Sequence, residues 1–296
     1  MQTVNRILCA IDLSMSSEDL LFRLLFRGVA LCSRFNAFLS IFYAIPLHSD
    51  LVARQIEFER GDEKTEKIEA ARKKIKKLMQ RFDTEWDLFV VYGDPVIETA
   101  KAAKMTKADI VIAESHGLSG FRQLFTGSII LRMPQSLSQP FLVMPPCKIA
   151  PEADLTKLEF KNIVLACSLL DTDIYLKKYA LAFSEKFNSK LCLVHVMESP
   201  LKESLMEMAS APYEEVQRRV EEKLTLQLEN LMQTKTHLLR GVPGEELLLY
   251  ARAHNTDLII VGIDKRPGRI IATTAKTLLR YLPCAVLTVP MHTGDT

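Results

Sequence analysis

Between residues 110 and 131 the sequence gathers residue types suited to holding an anion. Ala113-Glu114-Ser115-His116-Gly117 is followed by nine residues, Leu118 to Thr126, and then by Gly127-Ser128. The apolar run Ile110-Val111-Ile112-Ala113 reads as a buried parallel strand, and Ile129-Ile130-Leu131 as the start of a helix capped by Ser128. Glycine lets the main chain approach an anion closely, and the free N–H groups of a helix N-terminus add donors and a favourable dipole. His116 could donate to a phosphate. The competing reading is an ordinary glycine-containing strand-to-helix loop with His116 as a surface residue.

Such a loop needs a scaffold, and the preceding residues spell one out. Arg6 to Ile11 forms a short apolar strand, ended by the polar turn Asp12-Leu13-Ser14. Leu21, Leu24, Leu25, Gly28, Leu31 and Phe35 then recur at helical spacing, and Ala37 to Ile45 forms a second strand closed by Pro46. Ile68, Ala71, Ile75, Leu78 and Phe82 mark a narrow apolar seam in a lysine-rich helix. Leu88 to Val91 is a third strand, preceded by Trp86 as a packing residue, and Gly93-Asp94-Pro95 opens a third helix. Asp109 to Ala113 and Phe141 to Met144 complete the set. Strands and helices alternating at these lengths predict an α/β fold, a five-stranded parallel sheet with helices on both faces. Ligands bind such sheets at the carboxyl ends of the strands, where both Asp12 and the segment Glu114 to Gly117 fall.

From Lys161 the layout restarts. Ile163 to Cys167 reads as a strand, Asp171 to Phe187 as a helix and Lys190 to Met197 as a strand; a helix carrying Val216, Val220, Leu224, Leu228 and Leu231 follows a Met-rich loop. Gly93-Asp94-Pro95 matches Gly241-Val242-Pro243, and Asp109-Ile110-Val111-Ile112 matches Asp257-Leu258-Ile259-Ile260, both 148 residues on. Phe141 to Pro145 matches Val286 to Pro290 at an offset of 145. The chain reads as a tandem duplication, with domains at 1–147 and 158–292 and a linker from Pro146 to Lys157.

Charge and cysteine usage narrow the function further. With 38 basic and 36 acidic residues the chain lacks the electrostatic footprint of a nucleic-acid or anionic-membrane binder. The apolar stretch from Leu20 to Leu47 is broken by Arg23, Arg27 and Arg34, which argues against a membrane span, and the first residues lack a signal-peptide core. A cytoplasmic protein is the expectation. Six cysteines stand singly, mostly in apolar runs, as buried reduced thiols do. No His, Cys or carboxylate cluster has metal-ligand spacing, and neither a nucleophile elbow nor a Walker loop is present. His195 is read as a core or edge histidine.

Taken together, Ala10-Ile11-Asp12-Leu13-Ser14, the loop with its nine-residue spacer, Gly127-Ser128 and the terminal apolar strand resemble the universal stress protein family, and both halves are covered. The resemblance implies two adenine-nucleotide alpha-hydrolase-like domains. ATP-binding members carry G-x-x-G-x9-G-[S/T] after strand four and an Asp after strand one. By that resemblance Asp12 meets the ribose and adenine side, Ala10 and Ala44 line the base pocket, and Ser115, His116 and Gly117 with Gly127 and Ser128 hold ribose and phosphates. Glu114, in place of the pattern's first glycine, completes the candidate set. The implied ligand is ATP or another adenine nucleotide, with Mg as an accompanying cation, bound as a signal; at most weak ATP hydrolysis is expected. A carboxylate beside a triphosphate is repulsive unless a cation or ribose hydroxyl occupies it.

The second half departs further. Gly262 is kept, but Lys265 replaces the second glycine, Ala275-Lys276 replaces Gly-Ser, and Ser168 stands in place of Asp12. Nucleotide is therefore expected in the first half alone. The rival reading is an interaction or scaffold protein that has lost nucleotide binding and uses its surface, or an apolar pocket near Met197, Met206 and Met208. The resemblance also implies that Phe141 to Met144 pairs with Val286 to Val289 in an intramolecular pseudo-dimer, with a homodimer as a further assembly.

Overall fold

Five short apolar runs that cannot stay in water, joined by four helices, dictate the first unit. The computed structural model describes residues 3–13, 18–46, 61–115, 126–146, 158–167, 174–197, 218, 234–264 and 273–291. It divides into two compact units, Val4–Leu158 and Glu159–Thr296. The first contains β1 (Arg6–Ala10), α1 (Glu18–Phe35), β2 (Phe38–Ile45), α2 (Gly61–Met79), β3 (Trp86–Tyr92), α3 (Pro95–Met105), β4 (Ile110–Glu114), α4 (Thr126–Ser136) and β5 (Phe141–Met144). Its strands lie in the order β3-β2-β1-β4-β5, and their pairings are parallel. β4 and β5 are buried along their whole length, as strands covered on both faces must be.

The second unit repeats this with β6 (Asn162–Cys167), α5 (Ile174–Phe187), β7 (Lys190–Met197), β8 (Lys235–Arg240), α6 (Pro243–Ala253), β9 (Leu258–Asp264), α7 (Thr273–Tyr281) and β10 (Ala285–Met291). Its order, β8-β7-β6-β9-β10, matches that of the first unit strand for strand, again with parallel pairings. β8 has no apolar run to mark it as a strand; its pairing with β7 makes it one. The helix expected through Val216 and Leu231 lies outside the described residues, apart from Arg218. Among the described residues no helix is long and apolar enough to cross a membrane.

Local chemistry closes the helices in the same way in both units. α1 ends at Asn36 and α5 at Asn188, with φ of 56° and 51°. Ala37 N then donates to Cys32 O at 2.9 Å and Ser189 N to Ser184 O at 2.8 Å, the six-to-one bond that satisfies a helix's last carbonyls. Gly93 and Gly241, with φ of 153° and 145°, precede the prolines that open α3 and α6, and a Cβ on Gly93 would stand 2.6 Å from Glu98 Cγ. α4 begins at Thr126, so Ser128 lies inside its first turn rather than ahead of it. Its apolar stripe starts at Ile129, and the hydrophobic signal alone misses the polar residues that precede it.

Packing of α1 fixes one face of the first sheet. Leu21, Leu24, Leu25, Gly28, Leu31, Cys32 and Phe35 are buried, and Gly28 brings the helix so close that a Cβ there would stand 3.4 Å from Cys9 Sγ. Phe22 stacks on Phe82 with ring centres 5.1 Å apart, which joins α1 to the end of α2. α3 and α4 pack against each other, with α3 also on β2 and α4 on β5.

Asp94 shows how a local hydrogen bond stabilises this frame. Its Oδ1 accepts from Val96 N at 2.8 Å and Ile97 N at 3.2 Å, while Arg132 Nη2 donates to Oδ2 at 3.2 Å. Burial acts to raise its pKa, but the two backbone donors and Arg132 outweigh burial and hold the carboxyl below its ordinary value. The second unit has Val242 there, with no side-chain cap. Asp94→Ala is expected to cost about 1 kcal/mol at pH 7, read from the denaturant midpoint. Because the folded pKa is depressed, that stabilisation is present above the ordinary carboxylate value, about pH 4, and fades as pH falls below it. The gap between wild type and variant should therefore narrow below about pH 4.

Candidate functional site

β1 lies between β2 and β4, so the strand order reverses at β1, and the crevice at the carboxyl ends of β1 and β4 is the natural ligand position of this fold. Ala10 is in register with Phe42, and Ile11 N donates to Phe42 O at 2.9 Å, carrying the ladder one residue past the strand. That bond delivers half-exposed Asp12 beside the end of β2, where Ala44 is buried. Across the crevice, Ser115 N donates to Met144 O at 3.0 Å and ties the start of the loop to β5. α4 must return the chain to the amino end of β5, so its first turn, with Gly127 and Ser128, starts from the carboxyl side. Ala10, Asp12, Ala44, Glu114 and Ser115 thus come to one edge of the sheet. His116 and Gly117 lie outside the described residues.

Glu114 turns its side chain away from the loop. Side chains alternate along a strand, and Cys9 pairs with Ile112, so Glu114 shares the face of Cys9 that α1 covers. Only 1% of its side chain is exposed, and its Oε1 lies 3.4 Å from Arg27 Nη1 on α1. The same Arg27 nitrogen donates to Pro145 O at 2.9 Å. The carboxylate that replaces the pattern's first glycine is therefore part of an ion pair in the core layer, which removes the repulsion expected against a phosphate. Burial first, then Cys32 and Glu114, push the Cys9 thiol far above its usual range, and burial lifts Cys32 to about 12. Both thiols are inert at neutral pH.

Two residues at this edge carry no motif in the sequence. Tyr43, on β2, is 9% exposed, and burial, then Asp12 and Tyr92, push its hydroxyl up to about 12. Arg27 looks like an interruption in an apolar helix until its contacts are seen. The only sequence signals were a tyrosine at the end of a buried strand and two arginines one turn apart, Arg23 and Arg27.

The second unit fills the equivalent positions differently. Counting back nine residues from Asn36 and Asn188 aligns Arg27 with Tyr179, which is buried. Gly262, aligned with Glu114, has no room for a side chain: a Cβ there would stand 2.8 Å from Met291 Sδ and 3.1 Å from Leu176 Cδ1. His195 takes the register position of Tyr43, opposite Cys167, and its Nδ1 lies 2.9 Å from Cys167 O, so that nitrogen carries the proton. Ala275, aligned with Gly127, is fully buried. Ser168 and Lys265 lie outside the described residues, among which no group of three or more His, Cys, Asp or Glu could hold a metal ion.

Residues 3–145 and 159–290 each match the model of the Universal stress protein family. The chain belongs to that family. Universal stress protein MJ0531 of Methanocaldococcus jannaschii is 24% identical over 139 residues, spanning 44% of this chain and 82% of that protein. A universal stress protein from Archaeoglobus fulgidus superposes with a TM-score of 0.70 at 17% identity, covering 98% of each chain. PA1789 of Pseudomonas aeruginosa PAO1 superposes at 0.69 with 12% identity, covering 97% of this chain and 93% of its own. Both likenesses show the same fold over nearly the full chain.

Two outcomes follow from this geometry. Arg27→Met strands a buried carboxylate and should destabilise the protein by about 3 kcal/mol, whereas the double variant Glu114→Gln/Arg27→Met should recover most of that loss, as read by denaturant unfolding in a double-mutant cycle. Asp12→Asn removes a negative charge beside Tyr43 and should lower the phenol's titration midpoint from about 12. Ultraviolet difference titration against a Tyr43→Phe reference measures it.

Proposed function

We propose that the chain is a non-catalytic, cytoplasmic stress-response protein whose first unit binds an adenine nucleotide as a signal. The observation that carries this reading is the convergence of Asp12, Ala10, Ala44 and the start of the loop at Ser115 on the crevice between β1 and β4. The residues present fit such a ligand. Ala10 and Ala44 are small side chains at the ends of adjacent strands, Asp12 is an acceptor for ribose hydroxyl protons, and the glycines of the loop and of α4 permit close backbone approach to phosphates. Glu114 does not oppose it, because Arg27 pairs with that buried carboxylate in the layer beneath α1. A divalent cation such as Mg accompanying ATP offsets the phosphate charge.

The second unit supports a different role. Ala275 is buried where the first unit has Gly127, and Lys276 follows it. One lost charge-assisted hydrogen bond costs roughly 1.5 to 3 kcal/mol, so two or three such losses approach or exceed the ~5.5 kcal/mol that separates micromolar from ten-millimolar affinity. We read this unit as structural, or as the surface for another partner.

Calorimetric titration of the full chain with ATP, ADP and AMP is the test. One nucleotide per chain is expected, with Asp12→Ala weakening it at least tenfold, about 1.4 kcal/mol. Millimolar nucleotide that gives neither heat nor a thermal shift would refute the reading, and two equal sites would refute the asymmetry.

A further inference from the structure

α1 carries two arginines one turn apart, Arg23 and Arg27, on neighbouring positions of one face. Helical side chains lean toward the N-terminus of their helix, so both lean toward the carboxyl edge of the sheet, from which α1 departs. Arg27 reaches that edge and is engaged there by Pro145 O and Glu114. Arg23 starts one turn nearer the edge, and its Nη1 is buried with no hydrogen-bond partner among the described residues. A guanidinium N–H removed from water without an acceptor is costly, and such a group calls for an acceptor from outside the chain: an ordered water, an ion or a ligand.

The other half of the molecule supplies an internal control. Alignment on Asn36 and Asn188 sets Arg23 against Tyr175 and Arg27 against Tyr179, while Glu114 faces its counterpart Gly262. Both cations and the carboxylate are thus present in the unit that retains Asp12, Gly127 and Ser128, and all three are replaced in the unit that has Ala275 and Lys276. The replacement goes together, as a functional set would. Within the set the charges do not cancel: Glu114 is matched to Arg27, and Arg23 is left as the second cation of α1.

We propose that Arg23 is a specificity-determining residue of the first unit's site, donating to the anionic, phosphoryl part of the ligand. This deepens the adenine-nucleotide reading and rests on it. Arg23 would distinguish a phosphorylated ligand from its bare nucleoside, while Asp12 and the alanines attend to the nucleoside.

The experiment titrates the full chain and its Arg23→Gln and Arg23→Lys variants with ATP and with adenosine, with thermal unfolding run alongside. Arg23→Gln should weaken ATP at least tenfold, flatten the dependence of ATP affinity on salt, and leave adenosine within twofold. Arg23→Lys, which keeps the charge but loses the planar fork, should fall between and serves as the readout if the glutamine variant unfolds. ATP and adenosine weakened equally, or ATP not weakened at all, would overturn the proposal. If the wild type binds no ATP, the nucleotide reading fails by itself, and titration with inorganic pyrophosphate decides the role of Arg23. Pyrophosphate binding lost in Arg23→Gln sustains an anion contact, and no pyrophosphate binding rejects it.

Discussion

The pairing of β1 with β4 is the constraint on which the rest of each unit depends. These strands are far apart in sequence, and their register is set at the base of the sheet by one carboxylate. Asp109 Oδ2 accepts from Asn5 N at 2.7 Å and Arg6 N at 3.0 Å, while Asp109 N donates to Arg6 O at 2.8 Å. The second unit repeats the arrangement: Asp257 Oδ2 accepts from Lys161 N and Asn162 N, both at 2.8 Å, and Asp257 N donates to Asn162 O. A shift of one residue would turn every side chain of β1 to the opposite face, so this clamp also decides what stands at the far end of the strands. There Asp12, Ser115 and the crevice between them inherit their positions from a contact at the other edge.

That inheritance explains why a glutamate can occupy a position where the family pattern has glycine. The register sends Glu114 to the face covered by α1, where Gly28 admits the helix close to Cys9 and where Arg27 is available. A buried ion pair is weak evidence for stability, since hydrophobic residues of similar volume often do as well. The second unit illustrates this with Leu176 and Met291 packed against Gly262 in the equivalent place. What the ion pair adds is a connection: Arg27 joins the residue before the loop to the exit of β5 at Pro145.

The duplicated frame has diverged where chemistry would be done and stayed alike where geometry is needed. Asn36 and Asn188, Gly93 and Gly241, Pro95 and Pro243, and Asp109 and Asp257 hold equivalent backbone roles. Tyr43 and His195, Glu114 and Gly262, and Gly127 and Ala275 do not match in type. Positive φ, a proline in the first helical turn and strand clamps tolerate few residue types, whereas side chains at a sheet edge are free to vary.

The sequence by itself determined the strands other than β8, the helical periodicity, the duplication and the edge at which polar residues gather. Each of these is a local signal: apolar runs such as Ile110 to Ala113, the helical spacing of Leu21 to Phe35, and a turn chemistry repeated 148 residues later. Tertiary structure decided where Glu114 points, that Arg27 meets it, that β8 is a strand, and that Tyr43 stands near Asp12. Those facts depend on which face a register presents and which helix covers it. Both follow from contacts between residues far apart in the chain, to which a local pattern is blind.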